Sequence, residues 1–137
     1  MTAILMHVPT ERVREYWPQI RARVEELSQL PGEPWIAEDV YHELLLGGTH
    51  LFTTLDVRGF IVTQIRSNPY SRQMHVWLAS NEGSDWTPEF FEQLKDIARA
   101  NDCGSITFVS DRTGWKRALP GIRAQTLYSF DLGDENG

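Results

Sequence analysis

Val13, Trp17, Ile20, Val24 and Leu27 recur at intervals of three and four through TERVREYWPQIRARVEELSQL, which puts them on one side of a helix. Thr10 stands where a capping hydroxyl is expected, Pro18 removes an internal hydrogen bond and predicts a kink or restart, and Pro31-Gly32 ends the segment. A second, shorter amphipathic pattern follows in IAEDVYHELLLGG, with Ile36, Val40, Leu44 and Leu45 as its apolar side. Glu38 and Asp39 fall at the positive end of that helix, and Gly47-Gly48 supplies its stop.

Strand patterns occupy the spaces between. Ile4 to Val8 is a short apolar run closed by Pro9, and His50 to Asp56 and Gly59 to Arg66 flank DVRG, which predicts an antiparallel hairpin. QMHVWLA is apolar on both faces and therefore belongs at the centre of a sheet. Thr87-Pro88-Glu89 opens a helix with a hydroxyl cap, a proline in the first turn and an acid beside it. Phe90, Phe91, Leu94, Ile97 and Ala98 then form its apolar face as far as Asn101. SITFVS returns parallel to QMHVWLA through a right-handed crossover. A short helix over RTGWKRALPG and a last strand, RAQTLYSFDL, complete the pattern.

The predicted order is β-α-α-β-β-β-α-β-α-β, an α/β (α+β) chain with a mixed central sheet. At 137 residues it fits one domain, 1–132, followed by an acidic tail, 133–137. A 41% hydrophobic share with five tryptophans marks a folded protein, and a net charge of −6 weighs against nucleic acid as its partner. Cys103 is the only cysteine, so no intramolecular disulfide forms and a reducing cytoplasm is the expected location. No apolar run reaches membrane-spanning length and the first residues lack the layout of a cleaved signal, so a soluble protein without a membrane partner is expected.

His7, His42, His50 and Cys103 have no metal-like spacing, and no metal site is expected. Cys103 reads as a structural thiol, and the lack of a Gly-x-Ser-x-Gly elbow removes a serine hydrolase from the candidates. His75 lies on a strand packed on both faces. It reads first as a satisfied core histidine and second as a general base. Val109 to Arg123 carries four basic residues against Asp111 alone; Arg112, Lys116 and Arg117 form either the solvated face of a short helix or an anion or partner site. Trp115 is expected to anchor that helix, whereas Trp35 and Trp86 are the tryptophans expected to be exposed.

MHVWLA, TPEFFEQLKDIARANDC, GSITFVS, RTGWKRALPGI and the closing strand stand in the order of the GCN5-related N-acetyltransferase (GNAT) superfamily, which the chain resembles over nearly its whole length. Gly121-Ile122 stands where that family has a Gly-Phe pair, and Arg-x-Gly-Trp followed by Leu-Pro-Gly is similar to small GNAT-like proteins of bacteriophages. The resemblance implies acetyl transfer from acetyl-CoA to an amine, with a glycine-rich loop presenting N–H groups to the pyrophosphate. Here that loop reads SNEGSDWTPE: only Gly83 remains of the glycines, and Glu82 and Asp85 bring negative charge. The family's helical tyrosine, which protonates the departing thiolate, falls on Arg117 or Ala118.

Two functions follow from the resemblance. In the first, the acetyl-CoA loop has degenerated and the fold binds a protein partner, in a virion or a host, through Trp86, Arg112, Lys116 and Arg117. In the second, the chain is an atypical N-acetyltransferase that holds acetyl-CoA through Leu78, Ala79, Ser80 and Gly83 and uses His75 or Glu43 as base. Oligomeric state is left open by both.

Overall fold

A computed structural model of the chain describes residues 4–30, 34–81, 88–110, 115–126, 128–130 and 132–133. Its elements are β1 (Met6–Val8), α1 (Val13–Leu27), α2 (Ala37–Leu46), β2 (Thr49–Thr53), β3 (Gly59–Asn68), β4 (Ser71–Asn81), α3 (Pro88–Ala100), β5 (Ser105–Phe108) and α4 (Trp115–Ala118). Five strands form one sheet in the order β1-β2-β3-β4-β5. The first four are antiparallel to their neighbours, and β5 joins β4 in parallel, as the strand-helix-strand pattern requires. The result is a mixed α+β sheet with helices on both faces.

Side chains alternate between those faces. Val8, Leu51, Phe60, Val62 and Leu78 pack with Val13, Ile20 and Val24 of α1 and Val40 and Leu44 of α2. On the opposite face Phe52, Ile61 and Met74 meet Phe90, Leu94 and Ala98 of α3. Cys103 is buried in this second cluster.

Helix α1 runs through Pro18 as one helix, so the expected restart does not occur. Pro18 is exposed, and its lack of an N–H leaves the Arg14 carbonyl without its usual helical donor. Thr10 also departs from expectation: it starts a 3₁₀ turn, Thr10–Arg12, and its hydroxyl caps nothing. At α2 the acid does the capping, since the Ile36 N–H donates to Asp39 Oδ2 at 2.9 Å and Gly47 ends the helix at φ 88°.

The β2–β3 turn carries the one branched residue with positive φ among those described, Val57 at φ 59°. A branched side chain is strained there, and several bonds hold it. Val57 N–H donates to the Thr54 carbonyl at 3.0 Å, and the Arg23 guanidinium donates to the Val57 and Arg58 carbonyls. Arg23 itself lies 4.9 Å above the Phe60 ring.

The expected closing strand over 123–132 does not form among the described residues. Tyr128, Phe130 and Leu132 are exposed there, and β5 pairs with β4 only. Alternation alone makes a strand only where an edge receives it. QMHVWLA is inside the sheet as expected, although β3, not β4, is the middle strand.

Candidate active site

The ladder between β4 and β5 is short. Their parallel ladder runs from Gln73↔Ser105 to Val76↔Phe108 and stops. Beyond it, β4 continues to Asn81 paired only with β3. One cause lies in the register: Val62 faces Leu78 and Thr63 faces Val76, which leaves Trp77 as an extra residue on β4. Such a bulge bends and twists its strand, here next to the last rung shared with β5. Leu78, Ala79 and Ser80 therefore have no strand partner on the β5 side among the described residues.

Trp77 packs on the α1/α2 face, where its ring lies edge-on to Trp35 at 5.8 Å between centroids. Trp35 is half-buried by this contact, which corrects the expectation that it is exposed. Below Trp77, a row of polar residues crosses four strands on the same face: Thr49↔Gln64, Gln64↔His75 and His75↔Thr107 are successive register pairs. Gln64 Nε2 lies 3.5 Å from Thr49 Oγ1, and its Oε1 accepts from Arg66 at 3.2 Å. His75 Nδ1 is 2.9 Å from Thr107 Oγ1. Burial, and secondarily the charge of Arg66, lowers the His75 pKa below the ordinary histidine value, so the ring is neutral at pH 7.

Glu43 is half-buried on α2, which packs against α1 and β2. No hydrogen bond joins it to His75 among the described residues; β2 and β4 are separated by β3. His75 and Leu78–Ser80 thus share strand β4, whereas Glu43 is on helix α2. Gly83, Trp86 and Arg112 lie outside the described residues.

On α4, Lys116 and Arg117 are exposed while Trp115 and Leu119 are half-buried, the arrangement of a solvated cationic face over an apolar one. Trp115 stands edge-on to Phe108, 4.7 Å between centroids. Arg117 and Ala118, the positions corresponding to the family's tyrosine, are both exposed. Among the described residues no group of three or more His, Cys, Asp or Glu is placed to hold a metal, and no helix is long and apolar enough to cross a membrane.

Thr107, Gln64 and Thr49 are the site residues that the sequence pattern did not single out. Their alternation puts each on one face of its own strand, but only the register aligns them with His75.

No protein-family model matches the chain, and no curated protein matches it significantly by sequence. Solved structures do match by shape. A probable acetyltransferase superposes with a TM-score of 0.68 at 12% identity, over 96% of this chain and 99% of its own. The ribosomal-protein-alanine N-acetyltransferase of Brucella melitensis biovar Abortus 2308 superposes at 0.67 and 12% identity, over 96% and 100%. An aminoglycoside acetyltransferase from an uncultured soil metagenomic sample, solved in complex with sisomicin, gives 0.68 at 8% identity, over 94% and 95%.

The chain has a GNAT-like fold. Identities this low establish the architecture and leave the chemistry to the site. Acetyltransferases with the GNAT-like fold use acetyl-CoA, an extended amide chain can pair with strand backbone as a further strand does, and Leu78–Ser80 have no strand partner on the β5 side among the described residues.

Proposed function

We propose that this protein is an atypical N-acetyltransferase that acetylates an amine with acetyl-CoA. The single observation that carries the reading is the end of the β4–β5 ladder at Val76↔Phe108, with His75 one residue before it and an unpaired backbone edge after it. Bound acetyl-CoA would supply an acetyl group activated as a thioester. Leu78, Ala79 and Ser80 would hold the amides of its pantetheine arm through their own backbone groups. His75, neutral at pH 7, would take the proton that an ammonium must lose before its nitrogen can act as a nucleophile. Similar folds in proteins named for acetylating a ribosomal-protein alanine and aminoglycosides support an amine as acceptor.

The test is a thermal-shift titration with acetyl-CoA and with CoA. A ligand that binds the native state alone at a hundredfold excess over its dissociation constant stabilises by about 2.7 kcal/mol, which moves the melting midpoint upward by several degrees. No shift at millimolar ligand would overturn the reading. The same titration on Glu82→Ala/Asp85→Ala isolates the acidic loop, whose charges oppose a pyrophosphate; a larger shift in that variant is expected.

The sequence SNEGSDWTPE favours a second reading, in which the fold is kept for a protein partner, a virion component or host factor if the gene is a phage's. Lys116 and Arg117, with Trp86 and Arg112, would form the contact. Arg117→Glu and Trp86→Ala would then lose partner capture while remaining folded. Unchanged capture by both variants would sink this reading.

A further inference from the structure

The geometry points to Thr107 as the residue that sets the tautomer of His75: its hydroxyl oxygen accepts the Nδ1–H, so that Nε2 keeps the lone pair offered to the acceptor's ammonium. This inference rests on the acetyltransferase reading, because the contact is given by the structure and the direction of its hydrogen by the role proposed for His75. Three observations carry it.

First, the contact is built into the sheet. His75 and Thr107 are register partners on neighbouring parallel strands, with Nδ1 and Oγ1 2.9 Å apart, so the backbone ladder fixes the distance between them. Second, the contact is enclosed. His75 is 9% exposed and Thr107 half-buried, which limits the water that could replace the hydroxyl as Nδ1's partner. Third, the contact leaves one ring nitrogen for chemistry. A neutral imidazole has a single N–H, and whichever nitrogen carries it cannot accept a proton.

A threonine hydroxyl can donate or accept, and the role of the site decides between the two. If Nδ1 accepted, Nε2 would carry the hydrogen and could not take up a proton. If Nδ1 donates, Nε2 accepts. On proton transfer, an N–H bond of the ammonium breaks and an Nε2–H bond forms. The imidazolium then keeps its Nδ1–H on Thr107, so the hydrogen bond survives the step unchanged. Arg66, whose charge acts on His75 through the same row, opposes the imidazolium and favours its return to neutral. Thr107 is accordingly a positioning residue: it touches His75 and not the acceptor.

Long-range ¹H–¹⁵N spectra distinguish the two neutral tautomers directly and do not depend on turnover. For the full-length protein at about pH 7.5, where the ring is neutral, His75 is expected to show a protonated Nδ1 and an unprotonated Nε2. Thr107→Ser is expected to keep that pattern and Thr107→Val to shift it towards Nε2–H. An Nε2–H tautomer in the unmodified protein would overturn the inference without any variant having to fold. So would a Thr107→Val protein that folds and keeps the Nδ1–H form. The acetyl-CoA titration is read separately. The expected tautomer with no acetyl-CoA shift would support the Thr107 contact and overturn the acetyltransferase reading.

Discussion

Val76 faces Phe108 as the last rung between β4 and β5, and the next residue along, Trp77, is the one without a partner on β3. End of ladder and bulge thus coincide at a single peptide step. Each alone is a common irregularity of sheets. Together they mark where β4 loses β5 as a partner, one residue past His75 and just before Leu78–Ser80.

The bulged Trp77 is held by Trp35, and the pair should be energetically coupled. A double-mutant cycle with Trp35→Ala and Trp77→Ala is expected to give a coupling of about 0.5–1.5 kcal/mol beyond the burial lost by each. Urea denaturation of the four proteins measures it. Strict additivity would mean that the two rings support β4 independently.

Arg23 stabilises a strained turn. Its donors satisfy the carbonyls of Val57 and Arg58, and Val57 is held at φ 59° between them. Arg23→Ala is expected to cost about 1.5–3 kcal/mol, the range for hydrogen bonds made by a charged donor. Arg23→Lys should recover only part of this, since an ammonium lacks the planar fork that meets two adjacent carbonyls. Equal denaturation midpoints for wild type and Arg23→Ala would show that the turn holds itself.

Stability should fall as pH drops through the histidine range. Burial lowers the pKa of His75, with Arg66 contributing, and burial also lowers that of His50, with His7 contributing. A lowered folded-state pKa means that the unfolded chain takes up its proton first. The stabilisation is complete above the unfolded value near about 6.5 and is lost as pH falls through the folded values. Glu38, bonded by Arg21, and Asp56, bonded by the Thr54 hydroxyl, are held below the ordinary carboxylate range and act only at lower pH. Urea midpoints at about pH 7.5 and 5.5 separate the two windows. The lower midpoint is expected at pH 5.5, with a smaller difference in His75→Gln. A flat profile in wild type would contradict the burial of both rings.

Pro18→Ala should stabilise the protein. Pro18 is interior to α1 and exposed, so alanine restores the bond to the Arg14 carbonyl without disturbing the core. The gain is bounded by the helix-propensity difference, up to about 3 kcal/mol. A lowered melting midpoint would show that the proline shapes α1 for packing.

By itself the sequence determined the elements and their order as far as the fourth helix, because apolar periodicity, caps and turn residues act over a few neighbouring positions. Val13, Ile20 and Val24 are buried on one side of α1 as their spacing requires, and the hairpin about DVRG forms between its β-branched and aromatic flanks. Local signals also misled. Thr10 caps nothing, α1 does not restart at Pro18, and the expected last strand, RAQTLYSFDL, does not form among the described residues. A cap, a kink or a strand is decided by what lies across from it, and no short window contains that information.

The candidate site was legible only in part for the same reason. His75 and Leu78–Ser80, which lie on one strand, were named through the resemblance to a family. Thr107 was not, since 32 positions separate it from His75 and only the parallel register of β4 and β5 sets the two side by side. The tertiary structure alone decided that the ladder stops at Val76 and that Trp77 bulges. Both depend on how three strands compete for the same backbone groups, and that competition is resolved only when the strands are packed together.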